Sequence, residues 1–200
     1  MGLNHRHVLA GWWIWQGLAV AEQPEVSLRA FEPGDAGAVH RWFNNPEATR
    51  TLMEQREGFS LEQAEAWVRR AMDDSGEDRK YAIVVEGYEE PVGFTALYGL
   101  FRQTAPELGA LIGDDVRGKG VGRRAEALTI ARAFEEFGAH RVYGRIPARN
   151  EVAKKTVAGL GWKHEGTLRA HLRRSDGVDD CEVWGVLPDE FRAAAADLLG

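Results

Sequence analysis

Two hundred residues, 44% hydrophobic and 28% charged, suit one ordinary domain with a full core and exclude an intrinsically disordered chain. A net charge of −6 and a pI near 5.6 argue against a dedicated nucleic-acid binder, which carries a basic footprint, and are compatible with cationic substrates such as amines. The single cysteine, Cys181, excludes an internal disulfide and a cysteine-based zinc site, and a reducing compartment follows naturally.

The first 25 residues stand apart. The run from Val8 to Ala21 is similar to the apolar region of a secretory signal. It is, however, rich in tryptophan, interrupted by Gln16, and too short to span a bilayer. The expectation is an N-terminal extension over 1–25, a single domain over 26–200, and a cytoplasmic protein with no membrane partner. A mature chain beginning at Glu22 would contradict that location.

From Val26 to Phe31 apolar and polar residues alternate, as in a strand. Pro33-Gly34 breaks it, and Asp35 is placed to N-cap a helix burying Val39, Trp42 and Phe43. Asn44-Asn45-Pro46 ends that helix. Ser60 and Gln63 have the spacing of a capping box for the next one, whose apolar stripe is Leu61, Ala64, Trp67, Val68 and Ala71. Strands are expected at 81–85 and 91–98, joined as a hairpin, and at 104–112. A helix follows from Gly122 to Phe137, closed by Gly138, then a strand at 141–146. A second helix opens at Asn150 and ends at Gly161. Late strands are expected at 162–168 and 181–187 with Asp176-Gly177 in the turn region, and a short alanine-rich helix over 189–198 ends the series. The order is that of a mixed sheet with helices packed on it.

The most informative stretch is Val116 to Arg124, with glycines at 118, 120 and 122. A strand, a glycine-rich turn and a helix start in succession bring unpaired N–H groups and the positive helix end to one spot, which suits an anion. Arg123 and Arg124 in the first helical turn oppose the macrodipole, a placement that makes better sense beneath a polyanion. A Walker A loop is excluded because Gly120 follows Lys119. The segment Gly120 to Ala125 fits a dinucleotide fingerprint in spacing, but four strands precede it and no acidic residue ends the next strand, so a Rossmann domain is topologically poor.

Residues 117–122, RGKGVG, resemble the R/Q-x-x-G-x-G/A motif of the GNAT superfamily of acyl-CoA-dependent N-acyltransferases. Further pieces, in order, resemble its RimJ/RimL branch: Ser27-Leu28-Arg29, the run Arg41 to Pro46, Glu107-Leu108-Gly109, Asn150 with Ala153, Leu160-Gly161-Trp162, and Glu165 to Arg169. The resemblance covers about 26–187. It implies an α/β (α+β) GNAT fold: a mixed, mostly antiparallel central sheet splayed between strands 4 and 5, with helices on both faces. It implies acetyl-CoA as cosubstrate, an amine acceptor, no metal, and a homodimer as a candidate assembly. The pyrophosphate is expected on backbone N–H groups from Lys119 to Arg123, with Arg117, Gly118, Gly120, Val121 and Gly122 shaping that loop. The pantetheine arm is expected along Leu111 and Ile112, with Asn150 and Lys155 as further cofactor contacts.

Amide formation needs a neutral amine and a group to collect its proton. Glu107, on the strand leading into the cofactor stretch, is the candidate base. A backbone N–H near Leu111 or Ile112 is the candidate oxyanion donor. Many family members carry a tyrosine in the helix after the asparagine, whereas the matching position here is Val157, so protonation of the thiolate is left without a donor. Trp42 is a candidate wall of the acceptor pocket. His40, His140, His164 and His171 have no metal-binding spacing. The alternative activity is an acyl-CoA-binding domain without turnover.

Overall fold

The computed structural model describes residues 24–50, 52–53, 58–102 and 104–199. The signal-like segment therefore lies outside the described residues. Strand β1 (Val26–Arg29) leads through a 3₁₀ turn (Pro33–Asp35) into α1 (Ala36–Phe43), α2 (Pro46–Thr49) and α3 (Leu61–Ala71). Then come β2 (Arg79–Val85), β3 (Gly93–Tyr98), β4 (Glu107–Ile112), a second 3₁₀ turn (Asp114–Val116) and α4 (Val121–Glu135). The chain continues with β5 (Val142–Pro147), α5 (Glu151–Ala158), β6 (Lys163–Arg174), β7 (Gly177–Val186) and α6 (Pro188–Leu199).

The strands form one sheet in the order β1-β2-β3-β4-β5-β7-β6. Each pair is antiparallel except β4 with β5, which run parallel and meet at one register position, Glu107 opposite Tyr143. An open parallel sheet of the dinucleotide-binding kind is thereby excluded. Alternation sorts the side chains. Phe94, Ala96 and Leu111 pack with α1 and α3 on one face, where Phe31 meets Trp67 edge-on at 5.1 Å. Leu97, Val142 and Ile146 pack with α4, α5 and α6 on the other. Among the described residues no helix is long and apolar enough to cross a membrane.

Local chemistry explains most boundaries. Ser60 and Gln63 form both bonds of the capping box that starts α3. Asp35 behaves differently from its expected role as a helix cap. Its side chain makes no cap bond to α1. Instead it takes a two-pronged pair from Arg29 at 2.7 and 2.8 Å and a bond from the Glu32 N–H, tying β1 to the turn. Asn45-Pro46 ends α1 but also begins α2, because the Asn45 side chain accepts from the N–H groups of Glu47 and Ala48 and proline suits the first helical position. The late strands are longer than expected. Most of β6 is exposed, so it has no continuous apolar face by which to announce itself.

Candidate active site

Beyond the Glu107–Tyr143 register position, β4 and β5 carry no further pairing. A cavity of about 470 Å³ occupies the gap between them. Because Gly113 N–H bonds Val92 O at 2.7 Å, antiparallel alternation turns the N–H groups of Leu111 and Gly109 toward β3 and those of Ile112 and Ala110 toward the gap. Of the two residues expected to meet the pantetheine arm, Ile112 thus turns its N–H to the open edge of β4, although neither of them lines the cavity itself. Leu111 is bonded to β3 and buries its side chain against Phe94.

The glycine-rich stretch follows the end of β4, and none of its residues lines the cavity itself. Gly118 and Gly120 have φ of +75° and +79°, the left-handed region that favours glycine. Gly120 stands at the N-cap of α4 and provides no side-chain cap, which leaves the first N–H groups of the helix, on Val121, Gly122 and Arg123, without an intrahelical partner. A Cβ on Gly122 would lie 3.1 Å from Ile112 Cγ1, so glycine there lets the helix start press against β4.

The basic residues of the stretch are partly engaged elsewhere. Arg117 pairs with Asp114 at 2.7 Å and donates to Glu47 O. Lys119 Nζ donates to Tyr88 Oη at 3.0 Å. Arg123 Nη2 donates to Gly159 O at 2.9 Å, at the C-terminal end of α5. This gives the arginine at the start of α4 a second physical reason: it caps the negative end of the neighbouring helix. Lys155 is exposed on α5.

Glu107 faces the α1 and α3 side of the opening. Arg145 of β5 holds its carboxylate through Nε and Nη2 at 2.8 and 3.0 Å, and Tyr143 Oη donates to it at 3.3 Å. Asn150 lines the cavity and also caps α5, its Oδ1 accepting from Ala153 N–H at 3.1 Å. Trp42 does not line the cavity. It is buried between α1 and the sheet, 6.4 Å from Phe94 by ring centroids, while the next residue, Phe43, faces the opening together with Trp67 and Phe94. Several cavity residues carry no site signal in the sequence, Tyr98, Arg145 and Glu126 among them. Glu126 of α4 lines the gap from the opposite face, 8% exposed. In the fold it shares the buried stripe of α4 with Thr129, Ile130 and Ala133. Among the described residues no cluster of His, Cys, Asp and Glu has the makings of a metal site.

Comparison with known proteins gives the family of this chain. Residues 25–163 match the acetyltransferase (GNAT) domain family. The chain belongs to the GNAT acetyltransferases. It is an acyltransferase, and the expected GNAT fold is the one observed. Spermidine N(1)-acetyltransferase of Escherichia coli is 26% identical over 144 residues, 72% of this chain and 75% of that one. Spermidine N-acetyltransferase from Vibrio cholerae in complex with CoA and spermine aligns with a TM-score of 0.75 at 20% identity, over 83% of this chain and 97% of that one. Mycobacterium smegmatis RimJ in complex with CoA-disulfide aligns with a TM-score of 0.76 at 19% identity, over 87% of each. At such identities these two structural likenesses speak to the fold alone.

Proposed function

We propose that this GNAT acetyltransferase moves the acetyl group of acetyl-CoA onto a primary amine by direct attack in a ternary complex. The observation that carries the reading is the cavity through the sheet at the β4–β5 gap, which reaches Glu126 of α4, the helix whose start is uncapped. On this reading the N–H groups of Val121, Gly122 and Arg123 hold the pyrophosphate, assisted by the turn at Arg117 to Gly120. The backbone of Ala110 and Ile112 bonds the pantetheine arm as an added strand would, and Asn150 borders it from α5.

Glu107 collects the proton of the attacking amine, directly or through a water, and Arg145 and Tyr143 fix the direction of its carboxylate. An N–H on the open edge of β4 supports the developing oxyanion, an effect of about 3 kcal/mol in comparable sites. Cys181 is no nucleophile: it is buried, and burial pushes its thiol up, away from the reactive thiolate. The acceptor enters on the side of Phe43, Trp67 and Phe94, whose ring faces with the nearby carboxylate suit a cationic amine.

Polyamines are the first acceptors to test, since the E. coli relative is a spermidine acetyltransferase. Amino-terminal peptides represent the RimJ/RimL branch. Acetyl-CoA binding followed by CoA release with spermidine or a peptide amine supports the reading. An acyl-CoA that binds with no release from any amine would favour a domain without turnover.

A further inference from the structure

Two buried polar atoms in the cavity wall have no hydrogen-bond partner among the described residues: Glu126 Oε2 and Trp162 Nε1. A buried carboxyl oxygen and a buried indole N–H without partners are costly, and both lie on the α4–α5 side of the gap, across the sheet from Glu107. Their unmet bonding capacity fits a ligand with polar atoms in the opening. Only one of the two has a proton it can give up, because indole N–H is a donor and not an acid.

We propose that Glu126 is the general acid that protonates the departing CoA thiolate, an assignment that rests on the acetyl-CoA reading above. The amine nitrogen forms the new C–N bond and its proton passes to Glu107 or to a water that Glu107 holds. The C–S bond breaks, its electron pair stays on sulfur, and the Glu126 proton moves to that sulfur. Glu126 regains a proton from water, and Glu107 returns one to water, before the next cycle. The sheet thereby separates the two proton transfers, with one carboxyl on each face of the gap.

Burial alone pushes the Glu126 carboxyl up to about 8, so it is protonated at neutral pH and is matched to the acidity of a thiol. The charged groups that line the same cavity, Glu107 of β4 and Arg145 of β5, are paired with each other. Strand β3 brings the Tyr98 phenol. On α4 itself, Arg123 is turned to Gly159 O. Val157 and Ala153 of α5 border the cavity without a titrating group. Strand β1 and helix α6 pack on α4 through Val26, Phe191 and Ala195, which do not titrate either.

The test is difference infrared spectroscopy of the full chain near pH 7, with CoA and with desulfo-CoA, which lacks the thiol. The expected result is a protonated-carboxyl band absent from Glu126→Gln, displaced by CoA and left in place by desulfo-CoA. Glu126→Gln should bind CoA within about twofold of the original chain while kcat falls roughly 100-fold. The decline of kcat above about pH 8, set by Glu126, should vanish with it. Should Glu126→Gln not fold, Glu126→Leu fills the site without an unpartnered polar atom and should lose kcat alike. A band unmoved in a CoA complex that does form, or kcat within twofold in either variant, overturns the assignment of Glu126 alone. Failure of CoA to bind the original chain overturns the acetyl-CoA reading, and this assignment with it.

Discussion

Glu107 and Arg145 meet across the parallel strands just where the sheet begins to part, Oε1 to Nε at 2.8 Å and Oε2 to Nη2 at 3.0 Å. The pair holds the carboxylate at the mouth of the cavity without burying it from water, since its side chain keeps 16% exposure. Glu107→Gln should therefore lower kcat by about 100-fold, the usual worth of a positioned base, and leave acetyl-CoA affinity within about twofold. Steady-state kinetics beside calorimetric titration separates the two effects. An unchanged kcat across pH would remove Glu107 as the base.

Gly120 provides the second prediction. Its φ of +79° is a conformation that costs a side-chain-bearing residue roughly 1–2 kcal/mol, and its position at the start of α4 puts any added Cβ where the pyrophosphate is proposed to sit. Gly120→Val should weaken CoA binding by more than tenfold and lower the melting temperature modestly. Retained affinity would refute the placement of the pyrophosphate.

A third prediction concerns stability against pH. The Glu126 carboxyl titrates near 8 when folded and near its ordinary 4.5 when unfolded. Between these values the folded chain holds a proton that the unfolded chain has lost, so this group erodes stability as pH rises from about 4.5 to about 8, and no further above. The erosion is up to about 1.4 kcal/mol per pH unit. Denaturant unfolding at pH 5 and pH 8 should show a larger loss for the original chain than for Glu126→Gln. Equal losses would mean that Glu126 is not held neutral by burial.

Ser60 gives the fourth. Its hydroxyl oxygen accepts the Gln63 N–H at 3.2 Å, and the Gln63 side chain returns a bond to the Ser60 N–H at 2.7 Å. Ser60→Ala removes half of this exchange and should cost about 1 kcal/mol of unfolding free energy, with kcat unaffected. A chemical denaturation curve checks both magnitude and sign.

Much of this architecture was legible in the residues because local rules and tertiary packing agree. The Ser60–Gln63 spacing, the period of α3, and the glycines before α4 each read the same way in isolation as in the fold. Legibility failed where tertiary geometry decides. Asp35 looks like a helix cap, but a guanidinium six residues earlier takes it instead. Trp42 and Phe43 are neighbours on one helix, and only the helix rotation against the sheet tells which of them reaches the cavity. Alternation cannot trace β6, whose side chains are largely exposed. Glu126 is hardest, since a carboxylate on an apolar stripe reads as a helix surface residue until the cavity beside it is known. Arg123 has two roles that sequence could not separate, a place beside the anion site and a bond to the end of α5.

Acetyl transfer from acetyl-CoA to an amine through the β4–β5 gap is tested by CoA release from the full chain with acetyl-CoA and an amine panel of spermidine, spermine, aminosugars and amino-terminal peptides. The expected result is that acetyl-CoA binds, that CoA is released in the presence of at least one of these amines with stoichiometric acetylated product, and that the release is lost in Gly120→Val. Acetyl-CoA bound tightly with no release from any amine across the panel would contradict it.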